Sequence, residues 1–341
     1  MKKRIISLIT AACMVFGLAG CTSGGSSSQS TDDSTAEAST TESSEAAAEG
    51  AKYTVGICQL VQHDALDAAT QGFKDAIVEA LGEDAVTFDE QNAQNDTNTC
   101  ATIITGFVAS EVDLILANAT PALQAAQAGT DTIPVLGTSV TEYGVALGIE
   151  DFDGLVGTNI SGTSDLAPLD EQAAMIQELF PDAQNVGLLY CSAEANSQYQ
   201  VDTVKAELEA MGYTCEYYAF SDSNDLATVC QSAADASDVI YVPTDNTAAN
   251  NTELINNICY GKVPVVAGEE GICSGCGVAT LSISYYDLGV ATGKMAVKIL
   301  TGESKVEEMP IEYAPQFTKK YNAANAEALN VTIPEDYVAI E

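Results

Sequence analysis

Arginine is almost absent from this sequence, and the single arginine, Arg4, lies beside Lys2 and Lys3 at the start of the chain. The 341 residues include 12 Lys+Arg against 49 Asp+Glu, which gives a formal net charge of −37. Such a chain cannot present the basic face that nucleic acid or an anionic membrane surface requires, so both are excluded as partners. An arginine clamp for a ligand carboxylate is excluded too, because removal of the first segment would leave only lysines.

Tryptophan is also absent, and histidine occurs once, as His63. A lone histidine provides neither a metal cluster nor a base for a serine nucleophile, so we expect a capping or wall role for it. Cys273 and Cys276 have metal-ligand spacing, but no second pair accompanies them. With no Walker loop and no nucleophile elbow, the sequence predicts no enzyme activity, no metal and no cofactor. The cysteines beside apolar segments are interpreted as small buried hydrophobic residues.

The first 50 residues are interpreted as an export signal followed by a tether. Residues 1–20 combine a basic start, a short apolar run and small residues before Cys21. This ending resembles the lipobox of bacterial lipoproteins, which implies that Cys21 is lipidated and anchors the chain to the outer face of the cell membrane. Residues 21–50 are rich in Ser, Thr and acids and lack large apolar residues, which predicts a disordered tether.

From residue 53 onward, short β-branched runs alternate with segments of helical length. This alternation predicts an α/β fold with parallel sheets. Motifs also recur at a nearly constant offset: Asp113-Leu-Ile-Leu, for example, is echoed by Asp238-Val-Ile-Tyr. The sequence therefore predicts two similar open-sheet lobes facing one cleft.

Polar residues collect at the predicted carboxyl ends of the strands, where open parallel sheets bind ligands. Asp245 could pair with a ligand ammonium, but it could equally be a helix N-cap. Hydroxyls and amides could hold a carboxylate without arginine. Of the adjacent Glu269 and Glu270, one is expected near the ligand. The candidate ligand-binding residues at the strand ends are Gln59, Asn118, Thr120, Ser139, Asn196, Ser197, Thr244, Asp245, Asn246, Glu269 and Glu270.

Several segments resemble the substrate-binding lipoproteins of bacterial ABC importers that have the type 1 periplasmic-binding-protein fold. Within these, the chain is most similar to the subgroup associated with tryptophan and other aromatic amino acids. The resemblance covers about residues 53–330. The segments that carry it are 55–67, 72–74, 116–121, 134–139, 241–247 and 285–289.

The resemblance implies a chain that crosses three times between the lobes. Lobe one would comprise residues 51–159 plus 282–305, and lobe two residues 160–281 plus 306–341, with Ser161 near the first crossing as a further candidate ligand contact. It also implies a monomer that closes around a small zwitterion, an aromatic or apolar amino acid, and delivers it to an ABC permease and its ATPase. Two alternatives remain: a sugar, nucleoside or small peptide as ligand, or a sensory protein that feeds a membrane kinase.

Overall fold

The computed structural model describes residues 53–340, so the predicted signal peptide, the lipidation site at Cys21 and the tether lie outside the described residues. The strands are β1 (Tyr53–Gln59), β2 (Val86–Asn92), β3 (Leu114–Asn118), β4 (Val135–Val140), β5 (Ile160–Ser164), β6 (Asn185–Cys191), β7 (Thr214–Phe220), β8 (Val239–Val242), β9 (Val265–Ala267), β10 (Ala279–Ser282), β11 (Glu312–Tyr313), β12 (Thr318–Tyr321) and β13 (Val338–Ala339). The helices are α1 (Asp64–Leu81), α2 (Thr97–Ala109), α3 (Thr120–Gly129), α4 (Tyr143–Leu147), α5 (Leu169–Leu179), α6 (Ala195–Ala210), α7 (Ser223–Ala236), α8 (Asn246–Ala249), α9 (Thr252–Cys259), α10 (Glu270–Cys276), α11 (Tyr285–Leu300) and α12 (Ala323–Ala328).

Two mainly parallel sheets form two α/β lobes, which confirms the predicted fold class. The first sheet has the order β2-β1-β3-β4-β5-β11, and the second has the order β7-β6-β8-β9-β10-β12-β13. In both sheets the first five strands lie in the same spatial order, as expected for two copies of one layout. The pairing of β10 with β12 is antiparallel. Within residues 53–340, no helix combines the length and apolar character needed to cross a bilayer.

The core lies on both faces of each sheet because the central strands are buried on both sides. In β3, Leu114 and Leu116 pack with side chains of α1 and α11, whereas Ile115 and Ala117 pack with those of α2 and α3. Successive strand residues point to opposite faces, so a continuous apolar run is what a doubly covered strand requires.

The echo between Asp113 and Asp238 has a structural cause. Each residue precedes the third strand of its lobe and accepts a backbone N–H at the start of the first strand. Asp113 Oδ2 accepts from Thr54 N at 2.7 Å, and Asp238 Oδ2 accepts from Asn185 N at 2.9 Å. The same residue type therefore satisfies the same strand-end donor in both lobes.

The chain crosses between the sheets later than the sequence suggested at two of its three crossings. β5 pairs with β4, so residues 160–164 belong to the first sheet and not to lobe two. β11 pairs with β5, so the first sheet also includes residues 312–313, beyond the expected end at Lys305. Both differences arise because β5 and β11 are short strands at one side of the sheet, where pairing and not composition decides which sheet a strand joins. The crossings occupy residues 165–168, 283–284 and 314–317.

Helix α11 lies against α1 at unusually close range, and glycines make this possible. A Cβ added to Gly289 would lie 2.0 Å from the carbonyl oxygen of Ala69, and one added to Gly72 would lie 2.1 Å from that of Tyr286. The two backbones therefore touch where neither residue has a side chain. This contact fixes the start of α11, and hence Tyr285, at the edge of the interlobe cleft.

Candidate functional site

A small cavity lies between the two lobes, at the carboxyl ends of strands from both sheets. Its volume is about 10 Å³, which is roughly the space occupied by a single water molecule. The first lobe, the first crossing and the start of α11 contribute His63, Leu66, Ser139, Thr141, Asp165 and Tyr285, and the second lobe contributes Asn196, Thr244, Asp245, Asn246, Ala249 and Glu269.

Asp165 is the cavity carboxylate that the sequence analysis missed. It follows β5 directly and is only 4% exposed. Its Oδ2 accepts a hydrogen bond of 2.9 Å from the hydroxyl of Tyr285, whereas its Oδ1 has no partner among the described residues. Burial raises the pKa of Asp165 to about 6, and the hydrogen bond from Tyr285 opposes that rise. A buried carboxylate with one free oxygen is suited to receive a cation.

Glu269 faces the cavity, and its neighbour Glu270 does not. Glu269 is the N-cap of α10: its carboxylate oxygens accept from Gly271 N at 2.6 Å and Ile272 N at 2.5 Å. Burial raises the pKa of Glu269 to about 7. Glu270 instead pairs with Lys320 at 2.5 Å and lines only the adjoining groove, which Glu269 and Tyr285 also border. The two side chains have different surroundings because Glu269 is the N-cap of α10, whereas Glu270 is its first residue.

Asp245 is both a cavity residue and a helix cap. Its Oδ1 accepts from Ala248 N at 2.8 Å, and its Oδ2 accepts from Cys191 N at 2.7 Å. The side chain thus begins α8 and ties it to the end of β6. Burial, reinforced by the nearby carboxylate of Glu194, raises the pKa of Asp245 to about 8. Both of its oxygens already serve backbone donors, which favours the capping role that the sequence left open.

Glu194 is a second buried carboxylate that the sequence analysis did not select. Its Oε1 accepts from the amide and hydroxyl of Thr247, at 2.9 and 2.7 Å. Its Oε2 accepts from the backbone amide and the Nδ2 of Asn246, at 3.0 and 2.7 Å. Glu194 lies in the polar stretch after β6 from which only Asn196 and Ser197 were chosen. Little in the local sequence distinguishes it, because these four donors come from a segment about fifty residues away.

Three cavity residues carry buried polar atoms that find no hydrogen-bond partner among the described residues. These atoms are Ser139 Oγ, Asp165 Oδ1 and Asn196 Oδ1. Ser139 has a left-handed backbone with φ of 54°, an uncommon conformation for a residue with a side chain. Buried polar atoms are almost always hydrogen-bonded, so three unpaired ones around one cavity indicate a site for a polar ligand.

Other predicted residues lie elsewhere. Gln59 and Asn118 both hydrogen-bond to Thr70 of α1, and Ser161 Oγ donates to the carbonyl of Met309 at 2.8 Å. Ser197 is fully buried, and its Oγ accepts from Asn196. The predicted candidates that are not brought to this cavity are Gln59, Asn118, Thr120, Ser161, Ser197 and Glu270. Ser139, Asn196, Thr244, Asp245, Asn246 and Glu269 are brought together there.

The ionisable groups of the cavity are mainly carboxyl groups. Three carboxylates line it, no lysine of residues 53–340 does, and burial lowers the pKa of His63. The cavity therefore favours a ligand that carries a cationic group. Fold and site together define a two-lobed binding protein whose ligand is held between the lobes.

Residues 54–340 match the family described as ABC transporter substrate binding protein, and the chain belongs to this family. It is 33% identical over 317 residues to the tyrosine-binding protein of Clostridioides difficile strain R20291, covering 91% of this chain and 87% of that protein.

Two solved structures are also similar. The ABC domain in complex with L-Trp from Streptococcus pneumonia is 32% identical, with a TM-score of 0.80 over 84% of this chain and 97% of that one. The ligand-free, open structure of a substrate-binding protein with adhesive properties from Clostridium difficile is 36% identical, with a TM-score of 0.65 over 85% of this chain and 99% of that one. The open structure is closer in sequence but less similar in shape. In the present chain the two lobes contact each other directly, through Asn95 and Thr247 and through His63 and Asn246.

Proposed function

We propose that this chain is an extracytoplasmic receptor that binds an aromatic amino acid between its lobes and delivers it to an ABC importer. The observation that carries the proposal is the set of unpaired polar atoms around the interlobe cavity, namely Ser139 Oγ, Asp165 Oδ1 and Asn196 Oδ1. The Ser139 hydroxyl can donate to a ligand carboxylate, and the oxygens of Asp165 and Asn196 can accept from a ligand ammonium, so the three atoms suit a zwitterion.

The ligand ammonium would be held by Asp165 Oδ1 and Asn196 Oδ1, with Glu269 adding negative charge. This assignment replaces Asp245 as the principal partner, because both oxygens of Asp245 accept from backbone amides. Asp165 keeps an oxygen free, and its position is fixed by the hydroxyl of Tyr285. A buried carboxylate opposite an ammonium forms a charge-assisted hydrogen bond, which is about twice as strong as a neutral one.

The ligand carboxylate would be held by the hydroxyls of Ser139 and Thr141, both of which line the cavity. No lysine of the described residues reaches it, and the chain has no arginine after Arg4. The carboxylate must therefore be bound by neutral dipoles. Such a site discriminates against ligands with more than one negative charge, since no cation offsets their desolvation.

An aromatic side chain is supported by the tyrosine-binding relative and by the L-Trp complex described above. Leu66 and Tyr285 supply apolar and aromatic surface at the cavity. A volume of about 10 Å³ is far too small for an amino acid, so a ligand can enter only when the lobes separate. Three crossing segments provide the hinge for that movement.

Lipid anchoring at Cys21, a monomeric state and a permease with its ATPase as partners complete the proposal. The family match supports the transport role and the extracytoplasmic location. Metabolic labelling with a palmitate analogue tests the anchor, because Cys21→Ser should abolish incorporation. Uptake of labelled amino acid by cells with and without the gene separates an importer component from a receptor for a membrane kinase.

The ligand class is tested by calorimetric titration with L-tyrosine, L-tryptophan, L-phenylalanine, ribose and adenosine. We expect saturable binding of at least one aromatic amino acid, and its decarboxylated amine should bind more weakly. The proposal is overturned if ribose or adenosine binds more tightly than every amino acid tested.

A further inference from the structure

Two hydrogen bonds join the lobes directly, side chain to side chain. Asn95 Nδ2 of the first lobe donates to Thr247 Oγ1 of the second at 3.0 Å, and His63 Nε2 lies 3.4 Å from Asn246 Oδ1. His63 follows β1 and Asn95 follows β2, which are neighbouring strands. Their partners are the first two residues of α8. Neighbouring strand ends of one lobe thus meet consecutive residues of the other.

Glu194 decides which atoms of the second lobe face the first. The hydroxyl hydrogen of Thr247 is directed to Glu194 Oε1, so the hydroxyl lone pairs remain for Asn95. The Nδ2 of Asn246 is directed to Glu194 Oε2, so its Oδ1 remains for His63. Glu194 is 4% exposed and accepts only from these two residues and from Asn196. The carboxylate therefore orients both acceptors toward the opposite lobe.

The donor in the first lobe is also held rigidly. Asn95 has a left-handed backbone with φ of 63°, a conformation that asparagine tolerates better than most residues. Its backbone N–H donates to the carbonyl of Leu60 at 2.8 Å, which ties the turn to the end of β1. The Asn95 amide is thus presented by a fixed turn, and little conformational entropy remains to be lost when the bond forms.

We propose that these five residues (His63, Asn95, Glu194, Asn246 and Thr247) form an interlobe latch that stabilises the closed arrangement independently of ligand. Asn95, Glu194 and Thr247 do not line the cavity, so their contribution is to closure and not to ligand contact. Glu194 is the positioning residue, since it acts through Asn246 and Thr247. The proposal rests on the proposed function only in that closure serves to retain a ligand.

The variants that test the latch are Asn95→Gly, Thr247→Val, their combination and Glu194→Gln. Glycine keeps the left-handed turn, and valine keeps the shape of threonine without its hydroxyl. Gln94→Gly is the matched control, because Gln94 is the exposed neighbour of Asn95 and has a similar φ of 54°. Circular dichroism and urea unfolding establish that each variant folds.

The first readout is small-angle X-ray scattering of the ligand-free full chain. We expect a larger radius of gyration for Asn95→Gly, Thr247→Val and Glu194→Gln than for the wild type and Gln94→Gly. The second readout is stopped-flow release of L-tyrosine or L-tryptophan. Loss of one interlobe hydrogen bond should accelerate release about five-fold with association changed less than two-fold. The double variant should resemble the single ones, because each substitution removes the same hydrogen bond.

Equal scattering for Asn95→Gly and Gln94→Gly overturns the latch, and so do additive effects of Asn95→Gly and Thr247→Val on release. The scattering arm needs no ligand, which separates this proposal from the proposed function. If the variants open the lobes but no amino acid binds, the latch stands and the proposed ligand is wrong. If amino acids bind but the variants change neither the scattering nor the release rate, the latch is wrong and the proposed function stands.

Discussion

The hydroxyl of Tyr285 donates to Asp165 Oδ2 at 2.9 Å and thereby joins the first crossing between the lobes to the helix that follows the second. Asp165 directly follows β5 and the first lobe's sheet, while Tyr285 is the first residue of α11 after the second crossing. The bond engages Oδ2 and leaves Oδ1 without a hydrogen-bond partner among the described residues. Asp165 therefore belongs both to a crossing between the lobes and to the proposed ligand site.

Replacement of Asp165 by asparagine should weaken binding of an aromatic amino acid by at least about ten-fold, or 1.4 kcal/mol. The asparagine side chain keeps the size of aspartate and could still accept from Tyr285, so the loss reports the charge opposite the ligand ammonium. Calorimetric titration at pH 7.5 measures it. Glu270→Gln serves as the control, because Glu270 pairs with Lys320 outside the cavity and its replacement should change affinity less than two-fold. Equal affinities for Asp165→Asn and the wild type would remove Asp165 from the site.

The ligand-free protein should be more stable at pH 5 than at pH 8. Burial raises the pKa of Asp165 to about 6 and that of Glu269 to about 7, from ordinary values of 3.8 and 4.5. The folded chain then binds more protons than the unfolded chain between these values, so the free energy of unfolding falls as pH rises through them. Urea unfolding from pH 4.5 to 8.5 measures the slope.

The general repulsion in an acidic chain acts in the same direction, so a variant must separate the two. Asp165→Asn keeps nearly all of that repulsion but lacks the titrating group. Its stability should therefore depend on pH less steeply between about 4 and 6 than that of the wild type. A slope identical to the wild type would mean that Asp165 does not titrate in this window.

Gly289→Ala should destabilise the protein by about 1–3 kcal/mol, because the added methyl would lie 2.0 Å from the carbonyl oxygen of Ala69. Backbone cannot yield there without moving α11 away from α1. Gly106→Ala is the matched control: Gly106 lies within α2, and a Cβ added there meets nothing within 4 Å. It should stabilise the protein by about 0.5–1 kcal/mol, since alanine is the better helix former. Urea unfolding measures both effects: the free energy of unfolding should fall for Gly289→Ala and rise for Gly106→Ala.

The cysteines should be unreactive in the native protein. All eight within residues 53–340 are buried and unbonded, including Cys273 and Cys276, and burial raises the pKa of Cys191 to about 12. A thiol reagent needs access as well as thiolate, and burial denies it access before unfolding. Labelling with iodoacetamide at pH 8, followed by peptide mass spectrometry, should modify these eight only in guanidinium chloride. Failure of Cys273 and Cys276 to label in the unfolded chain would indicate a disulfide between them.

The alternation of strands and helices and the echo between Asp113 and Asp238 were readable from the sequence, because each depends on neighbouring residues and a nearly constant spacing. The sequence also pointed to Asp245, Asn246 and Glu269, since polar residues after buried strands collect at one edge of a sheet. It could not choose between Glu269 and Glu270, because the choice depends on which of the two is the N-cap of α10.

The amino-acid sequence by itself determined the acidic, almost arginine-free composition, the two α/β halves and the strand ends from which the site is built. Only the tertiary structure decided that Asp165 meets Tyr285, that Glu194 orients Asn246 and Thr247, and that Gln59 and Asn118 bond to α1 and not to the cavity. These relationships join segments far apart in the chain. Their partners are set by how sheets, helices and crossings pack, and no local period or propensity records that packing.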